Sequence, residues 1–313
     1  MKMTFLFSSQ VKKELREFFD IILFLNLLGV LLSLVSVYHW FFNLFDQFLH
    51  VYLYVSLFLM FIFLILKAFP QIFASLCLSM FCALSFYNTN VKVVNSDLNS
   101  KFNIYYQNIN SSNVKLEALP LAIQNTNSEI VALVESTVAA EERFLNLNEY
   151  TKKLSLPRDD NYGFLILGKI NFQVNEIYEK FGIPVYVRIY IEKYNLRMYL
   201  VHLPPPLWKD AWKIQQDTLK KIVNEINLDR PQAFMIVGDL NMVATSNQFK
   251  NFYKEFSSPP YSQELFNPGT WPSFMPAYIR LPIDHVLSNK KFSLKLKDSF
   301  GSDHKGFVIQ VAN

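Results

Sequence analysis

Cysteine is nearly absent from this chain of 313 residues: there are two, Cys77 and Cys82, and both fall in an uncharged apolar stretch. Everything after residue 90 therefore lacks a disulfide, a thiol nucleophile and a cysteine metal site. A region of that length can bury enough surface without such staples, so the absence does not decide the compartment. A strong charge of one sign is lacking too. Five of the 30 Lys and Arg and four of the 26 Asp and Glu precede residue 91, which leaves +3 for the remainder. That balance is too weak to argue for nucleic acid by itself. No internal repeat or low-complexity tract is present, and no small-x-small cleavage site follows the first apolar stretch, which argues against a removable signal peptide.

What is abundant is apolar residue, 51% of the chain, concentrated before about residue 90. Three uncharged stretches stand out at 21–38, 51–66 and 68–87, the second being short unless it begins near Phe48. A spanning helix needs about 20 apolar residues to cross about 30 Å of hydrocarbon. Phe, Leu and Ile on every face, without a polar stripe, favour bilayer spans over buried soluble helices. Asn26 and Gln71 are mild polar intrusions suited to interhelical or interfacial contacts. Lys2, Lys12, Lys13 and Arg16 precede the first span, and Lys67 lies between the second and third. The positive-inside rule then puts the N-terminus in the cytoplasm and, after three spans, the C-terminal region outside it. A re-entrant hairpin in place of spans two and three would invert that orientation.

The expected organisation is a membrane domain over 1–90 with three transmembrane helices, a polar linker over 91–101 and a catalytic domain over 102–313. Within the last, strands are expected at 102–109, 130–134, 185–191, 197–201, 233–237, 283–287, 292–296 and 306–311. Helices are expected at 114–125, interrupted by Pro120, and at 209–227. Strands outnumber helices and several helices sit in crossovers. The economical architecture is an α/β (α+β) four-layer sandwich of two mixed β-sheets flanked by helices, preceded by three transmembrane α-helices.

Polar residues able to bind metal or phosphate recur where the apolar strands end. They are Asn108, Glu135, His202, Asp239 with Asn241, Asp284 with His285, and Asp303 with His304. Loops at strand ends are where a rigid sheet can hold a catalytic constellation. Each residue alone has an equally good structural explanation as a strand terminus or turn.

Their order and local spelling resemble the endonuclease/exonuclease/phosphatase superfamily over 102–311, closest to bacterial membrane-anchored members. The resemblance runs through Ile104-Tyr105-Tyr106-Gln107-Asn108-Ile109-Asn110, Ser128-Glu129-Ile130-Val131-Ala132-Leu133-Val134-Glu135 and Tyr199-Leu200-Val201-His202. It continues through Val237-Gly238-Asp239-Leu240-Asn241, Pro282-Ile283-Asp284-His285-Val286-Leu287 and Gly301-Ser302-Asp303-His304. Two departures are Gly168-Lys169, where the family often has Ser before the basic residue, and Gly306, where it often has Pro. Neither position is a catalytic side chain, so both put substrate contacts in question more than activity, and no acidic partner for His202 is evident.

The resemblance implies a metal-dependent phosphoester hydrolase of nuclease, phosphodiesterase or phosphatase type, using Mg²⁺ with Mn²⁺ as an alternative. It implies Glu135, Asn108 and Asp303 as metal ligands, directly or through water, and oxygen donors suit such a hard cation. Asp239 would activate water, Asn241 would hold a phosphate oxygen, and His304 would donate to the phosphate with Asp284 fixing its tautomer. His202 would be a second phosphate donor or an acid for the leaving group. His285, on the opposite face from Asp284, reads as structural. Lys305 reads equally as a solvated lysine or a phosphate contact, and Trp208, Trp212 and Trp271 as packing ahead of a substrate wall. The implied partners are a phosphoester, either nucleic acid or a phospholipid head group, and the lipid bilayer, with no obligate protein partner. The implied location is a bacterial inner membrane with the catalytic domain on the periplasmic side. The competing reading is a catalytically inactive membrane scaffold that binds through the hydrolase-like domain.

Overall fold

A computed structural model describes residues 8–87, 89, 91–93, 100–144, 147–228, 232–263 and 269–312. Most of the expected linker, 94–99, lies outside the described residues, as does Lys2. The chain forms two compact units, one over 1–90 with 245–247 and one over 91–244 with 248–313.

The first unit is helical: α1 (Ser9–Leu34), α2 (Trp40–Asp46), α3 (Leu49–Leu66) and α4 (Phe69–Tyr87). The helices α1, α3 and α4 are each long and apolar enough to cross a membrane. The first begins 12 residues ahead of its apolar stretch. The cause is local: Ser8 caps it by accepting from Val11 N, and Lys13–Glu17 and Arg16–Asp20 pair one turn apart on its polar first half. The short helix α2 was not foreseen, and His39 caps it by accepting from Phe41 N. Both polar intrusions are interhelical. Asn26 donates to Ser56 Oγ at 2.7 Å, and Gln71 accepts from Arg16 at 3.1 Å. In a bilayer such bonds satisfy groups that lipid cannot.

The second unit continues with β1 (Lys92–Val93), β2 (Ser100–Asn108), α5 (Leu119–Gln124), β3 (Ile130–Val134), α6 (Val138–Arg143), β4 (Lys152–Leu156) and β5 (Phe164–Gly168). There follow β6 (Gln173–Lys180), β7 (Ile183–Ile191), β8 (Leu196–His202), α7 (Lys209–Leu228), β9 (Ala233–Asp239) and α8 (Asn247–Lys254). The chain closes with β10 (Tyr261–Ser262), β11 (Asp284–Ser288), β12 (Phe292–Leu296) and β13 (Phe307–Ala312). One sheet has the order β1-β10-β11-β9-β8-β7-β6 and the other β12-β13-β2-β3-β5-β4. Both are mixed, with β8–β9 and β2–β3 parallel inside largely antiparallel neighbours.

Period-two alternation explains the layering. Along β2, Phe102, Ile104 and Tyr106 face a core shared with Val187, Ile189, Met198, Leu200 and Val237 of the other sheet. Residues of the opposite phase, Tyr105 in β2 and Val131 and Leu133 in β3, pack against α5 and α6. The outer face of the larger sheet packs under α7 and α8 through Ile222, Val223, Phe249 and Phe252. The result is the expected helix–sheet–sheet–helix sandwich.

One helix differs from expectation: 114–125 contracts to α5, which starts at Leu119. Pro120 sits in its first turn, where the missing N–H is not needed, so it starts the helix instead of interrupting it.

Register then gathers the polar strand ends. Asn108 pairs across from Val134, the residue before Glu135. His202 pairs with Asp239, and Asp239 with Asp284.

Candidate active site

Three strand ends of the larger sheet bring His202, Asp239 and Asp284 side by side, and the smaller sheet supplies Asn108 and Glu135 opposite them. The loop before β13 carries Asp303 and His304. Asn108 is the hub: its Nδ2 donates to Glu135 Oε1 at 2.8 Å and to Asp239 Oδ2 at 3.2 Å. Its Oδ1 accepts from Asn110 N at 3.0 Å, and its carbonyl accepts from Ser302 Oγ at 2.8 Å. His202 Nε2 lies 3.7 Å from Glu135 Oε1 and 3.9 Å from Asp239 Oδ2. His304 Nε2 lies 3.7 Å from Asp239 Oδ2, and its Nδ1 donates to Asp284 Oδ2 at 2.8 Å.

Two backbone features place these groups. Glu135 adopts a left-handed conformation with φ 61°, which costs a non-glycine residue about 1–2 kcal/mol. It is held there by Ser111 N donating to Oε2 at 3.1 Å and by Asn108 on Oε1. Before Asp239, Gly238 has φ 153°, and a Cβ there would lie 1.8 Å from the Val201 carbonyl oxygen. Only glycine lets β9 run this close to β8 and deliver Asp239 beside His202.

Burial and neighbouring charge set the protonation states. Burial lowers the pKa of His202 and outweighs the opposing pull of Glu135, so this ring is neutral. Burial would lower His304 also, but Asp284, bonded to Nδ1, and Asp239 reverse the sign and raise it to about 10. Burial opposes ionisation of Asp284, yet the His304 charge and bonds from His304, Thr270 and Tyr106 hold its carboxyl below the usual range. Asp239 goes the other way: burial and the adjacent Asp284 charge push its carboxyl well up, against the opposing His304 charge. Asp284 and His304 therefore form an ion pair, while Asp239 is a carboxyl that holds its proton into the neutral range and is basic once ionised.

Several supporting contacts were not foreseen from sequence, that of Trp271 included, which read as packing. Tyr106 Oη donates to Asp284 Oδ1 at 2.7 Å, and Gln263 Nε2 donates to the Asp284 carbonyl at 2.7 Å. Asp303 accepts from Asn110 Nδ2 at 2.8 Å and from Trp271 Nε1 at 3.0 Å. The Tyr162 ring lies 5.5 Å from that of His202. Tyr106 was findable, because alternation puts it on the same strand face as Asn108. Trp271 was not, since its reach depends on a loop. Asn241 turns partly away from the cluster. Its N–H donates to Asp239 Oδ1 at 2.8 Å and its Nδ2 to the Leu203 carbonyl at 2.8 Å, which braces the Asp239 loop against the His202 loop.

Other positions stay outside. His285 is buried behind the site, with Nε2 2.7 Å from the Met242 carbonyl and its ring on Phe249. Lys305 pairs with Asp298 at 3.4 Å. Gly168 pairs with Ile130, at the far end of the strands from Glu135, and Lys169 pairs with Glu149, so this departure from the family lies away from the cluster. At Gly306 a Cβ would meet Tyr105 Oη at 2.7 Å and Gln107 Oε1 at 3.0 Å, so a proline ring is excluded by the hydrogen-bonded Tyr105–Gln107 pair.

The donor set fits a divalent cation. Asp239, Asp284 and His304 have ligand atoms within 4.8 Å of one another, but the His304 nitrogen could serve a metal ion only on losing the proton that pairs it with Asp284. Glu135 adds a further carboxylate beside Asp239. Burial and Asp284 keep Asp239 protonated at neutral pH unless a cation favours its ionised form, and oxygen donors are what Mg²⁺ or Mn²⁺ prefers.

Comparison with known proteins agrees with the geometry. The model of the "Endonuclease/Exonuclease/phosphatase family" matches residues 102–304. No curated protein matches the sequence significantly. Among solved structures, the chain is similar to Danio rerio TDP2 complexed with a single-strand DNA product, at 13% identity and TM-score 0.54. That match covers 68% of this chain and 99% of that one. Truncated Caenorhabditis elegans TDP2 gives 13% identity and TM-score 0.53, over 68% and 97% of the two chains. A mannosyl-6-phosphatase of Bacteroides thetaiotaomicron gives 12% identity and TM-score 0.51, over 68% and 100%. Likeness at this identity speaks for the fold alone, whereas the family model spans most of the chain. With the strand-end cluster in the family's order and the two-sheet sandwich beneath it, this chain belongs to the endonuclease/exonuclease/phosphatase family.

Proposed function

We propose that the protein is a membrane-anchored, Mg²⁺- or Mn²⁺-dependent phosphoester hydrolase, with the three apolar helices as its anchor. The domain organisation we propose is a membrane domain over 1–90 and a catalytic domain from 91 onward, because the expected linker over 91–101 supplies β1 and the start of β2. The charge bias around α1 favours a catalytic domain outside the cytoplasm, which in a bacterium with two membranes means the periplasm.

The observation that carries this reading is the convergence of Asn108, Glu135, His202, Asp239, Asp284 and His304 within one buried cluster, with opposite protonation states imposed on neighbours. Glu135, with Asn108 and Asp303, would hold the cation, which when bound supplies charge for polarising a phosphoryl oxygen. Asp239 orients a water and takes its proton, a role suited to a carboxyl whose burial makes it basic. His304, kept cationic by Asp284, donates from Nε2 to a phosphate oxygen as negative charge gathers there. His202 is neutral, so donation of a single N–H to the phosphate suits it better than protonating a leaving group. Asn241 keeps one amide hydrogen for a phosphate oxygen while the other holds Leu203.

The test is hydrolysis of bis(p-nitrophenyl) phosphate by the full chain in detergent with Mg²⁺ or Mn²⁺. Turnover should be abolished by a chelator and by Asp239→Ala. Turnover that survives both would sink the reading, and failure to bind either cation would favour an inactive scaffold.

A further inference from the structure

We propose that the rim of the active site is a lipid-contacting surface, and that the substrate is the phosphoester of a lipid taken from the bilayer. This rests on the hydrolase reading above.

Two loops leave the cluster and end in exposed apolar side chains. The first follows His202. Pro204 and Pro206 are buried, and Gln215 Nε2 donates to the Pro204 carbonyl at 2.9 Å, which roots the loop. Beyond that root, Leu207 is 53% and Trp208 49% exposed, and Lys209 follows. The second loop runs from Trp271 to Leu281, and these two residues pair across its base. Trp271 and Ser273 tie it to Asp303, and Ser273 Oγ donates to the Ser302 carbonyl at 2.7 Å. At its tip Phe274 is 76% and Tyr278 66% exposed, with Met275 beside them and Arg280 close behind.

Exposed large apolar residues are ordinary when scattered. These cap two braced loops, each rooted on a residue of the catalytic cluster. Their composition also discriminates. Stacking on nucleobases would need aromatic faces in a basic groove, whereas Leu207 and Met275 offer no ring and the domain carries only +3 beyond residue 90. Trp and Tyr alternating with aliphatic residues and flanked by Lys209 and Arg280 match the boundary between acyl chains and anionic head groups. The same chain carries three helices of bilayer-spanning length, so a membrane is the surface it meets at the highest effective concentration.

The experiment uses the full chain reconstituted in vesicles of phosphatidylcholine, phosphatidylethanolamine and phosphatidylglycerol. The emission lost on Trp208→Phe is that of Trp208. Brominated acyl chains should quench that share at least about twofold, because an interfacial side chain sits about 5–10 Å into the boundary. Unquenched Trp208 overturns the contact, whether or not the enzyme is active. The second arm is hydrolysis of one phosphoester bond of the vesicle lipid, read as the diacylglycerol or phosphatidate left behind, by wild type and by Leu207→Ser/Trp208→Ser/Phe274→Ser. The triple variant should lose about tenfold on vesicle lipid, the equivalent of about 1.4 kcal/mol, and keep its rate on soluble bis(p-nitrophenyl) phosphate. Hydrolysis of the soluble ester with none of the vesicle lipid, equal lipid hydrolysis by the triple variant, or faster turnover of single-stranded DNA than of vesicle lipid would each overturn the substrate class. No turnover of the soluble ester by wild type would instead refute the hydrolase reading, and the quenching result would still stand.

Discussion

Tyr106 offers a clean way to weigh the ion pair at the centre of the site. Tyr106→Phe removes one oxygen from a fully buried ring and leaves its packing on Phe307, 5.0 Å away, in place. What disappears is the 2.7 Å bond to Asp284 Oδ1. A hydrogen bond to a charged group contributes about 1.5–3 kcal/mol, against about 0.5–1.5 kcal/mol for a neutral one. The adjacent residue supplies the control. Tyr105 is equally buried on the opposite face, and its hydroxyl donates to the neutral Gln107 Oε1 at the same 2.7 Å. Tyr106→Phe should therefore cost about 1 kcal/mol more than Tyr105→Phe, which for a domain of this size means a Tm lower by a further 2–4 °C or so.

Differential scanning fluorimetry of the detergent-solubilised chain, with chelator present, measures both. The sign with pH is fixed as well. Asp284 has a depressed pKa in the folded protein, so the stability it contributes is present above the ordinary carboxyl pKa of about 3.9 and is lost as pH falls further. The gap between the two variants should thus persist from neutrality to about pH 4. Equal losses at neutral pH would show that Asp284 is not the charged partner of His304, and the assignment of protonation states would fall with it.

Other expectations follow from the same geometry. Glu135→Gln should weaken Mn²⁺ binding in calorimetric titration by at least about tenfold, since even outer-shell partners of metal ligands carry that much; unchanged affinity would place the cation elsewhere. Asp239 has a carboxyl pKa raised by burial and Asp284, so turnover at limiting cation should fall as pH is lowered through neutrality. Saturating cation should move that limb to lower pH, because positive charge favours the carboxylate, and a limb indifferent to cation would remove Asp239 as the base. Gly238→Ala should prevent recovery of folded protein, given the 1.8 Å approach to Val201; a folded, active variant would refute the close packing of β8 and β9.

Much of this was legible in the sequence wherever one physical rule dominated. The buried strands β3, β7, β8, β9 and β11 were visible as apolar runs, the partly exposed edge strand β12 was placed as well, and α7 was visible as an amphipathic helix. What escaped obeys other rules. The edge strands β4 and β6 read Lys-Lys-Leu-Ser-Leu and Gln-Val-Asn-Glu-Ile-Tyr-Glu-Lys, and their exposed charges, which discourage edge-to-edge pairing, also mask the strand pattern. The fully buried β5 passed unnoticed although its five-residue apolar run matches that of β3 in length and burial. At the site, strand-end spelling located the ligand-type residues. Their protonation states were not legible, because those depend on burial and on which carboxylate faces which imidazole. Nor was the left-handed backbone at Glu135, a conformation that glutamate does not favour on its own.

The cluster is divided between the two sheets. Asp284 comes from the larger one, Tyr106 from the smaller, and His304 from the loop that leads back into the smaller. Neither sheet alone contains a working half. In the proposed hydrolase, turnover would therefore be a gauge of the seam between the sheets. A substitution deep in the shared core, at Ile189 or Leu200 for instance, could silence the enzyme by shifting one wall a fraction of an ångström, long before the fold gives way.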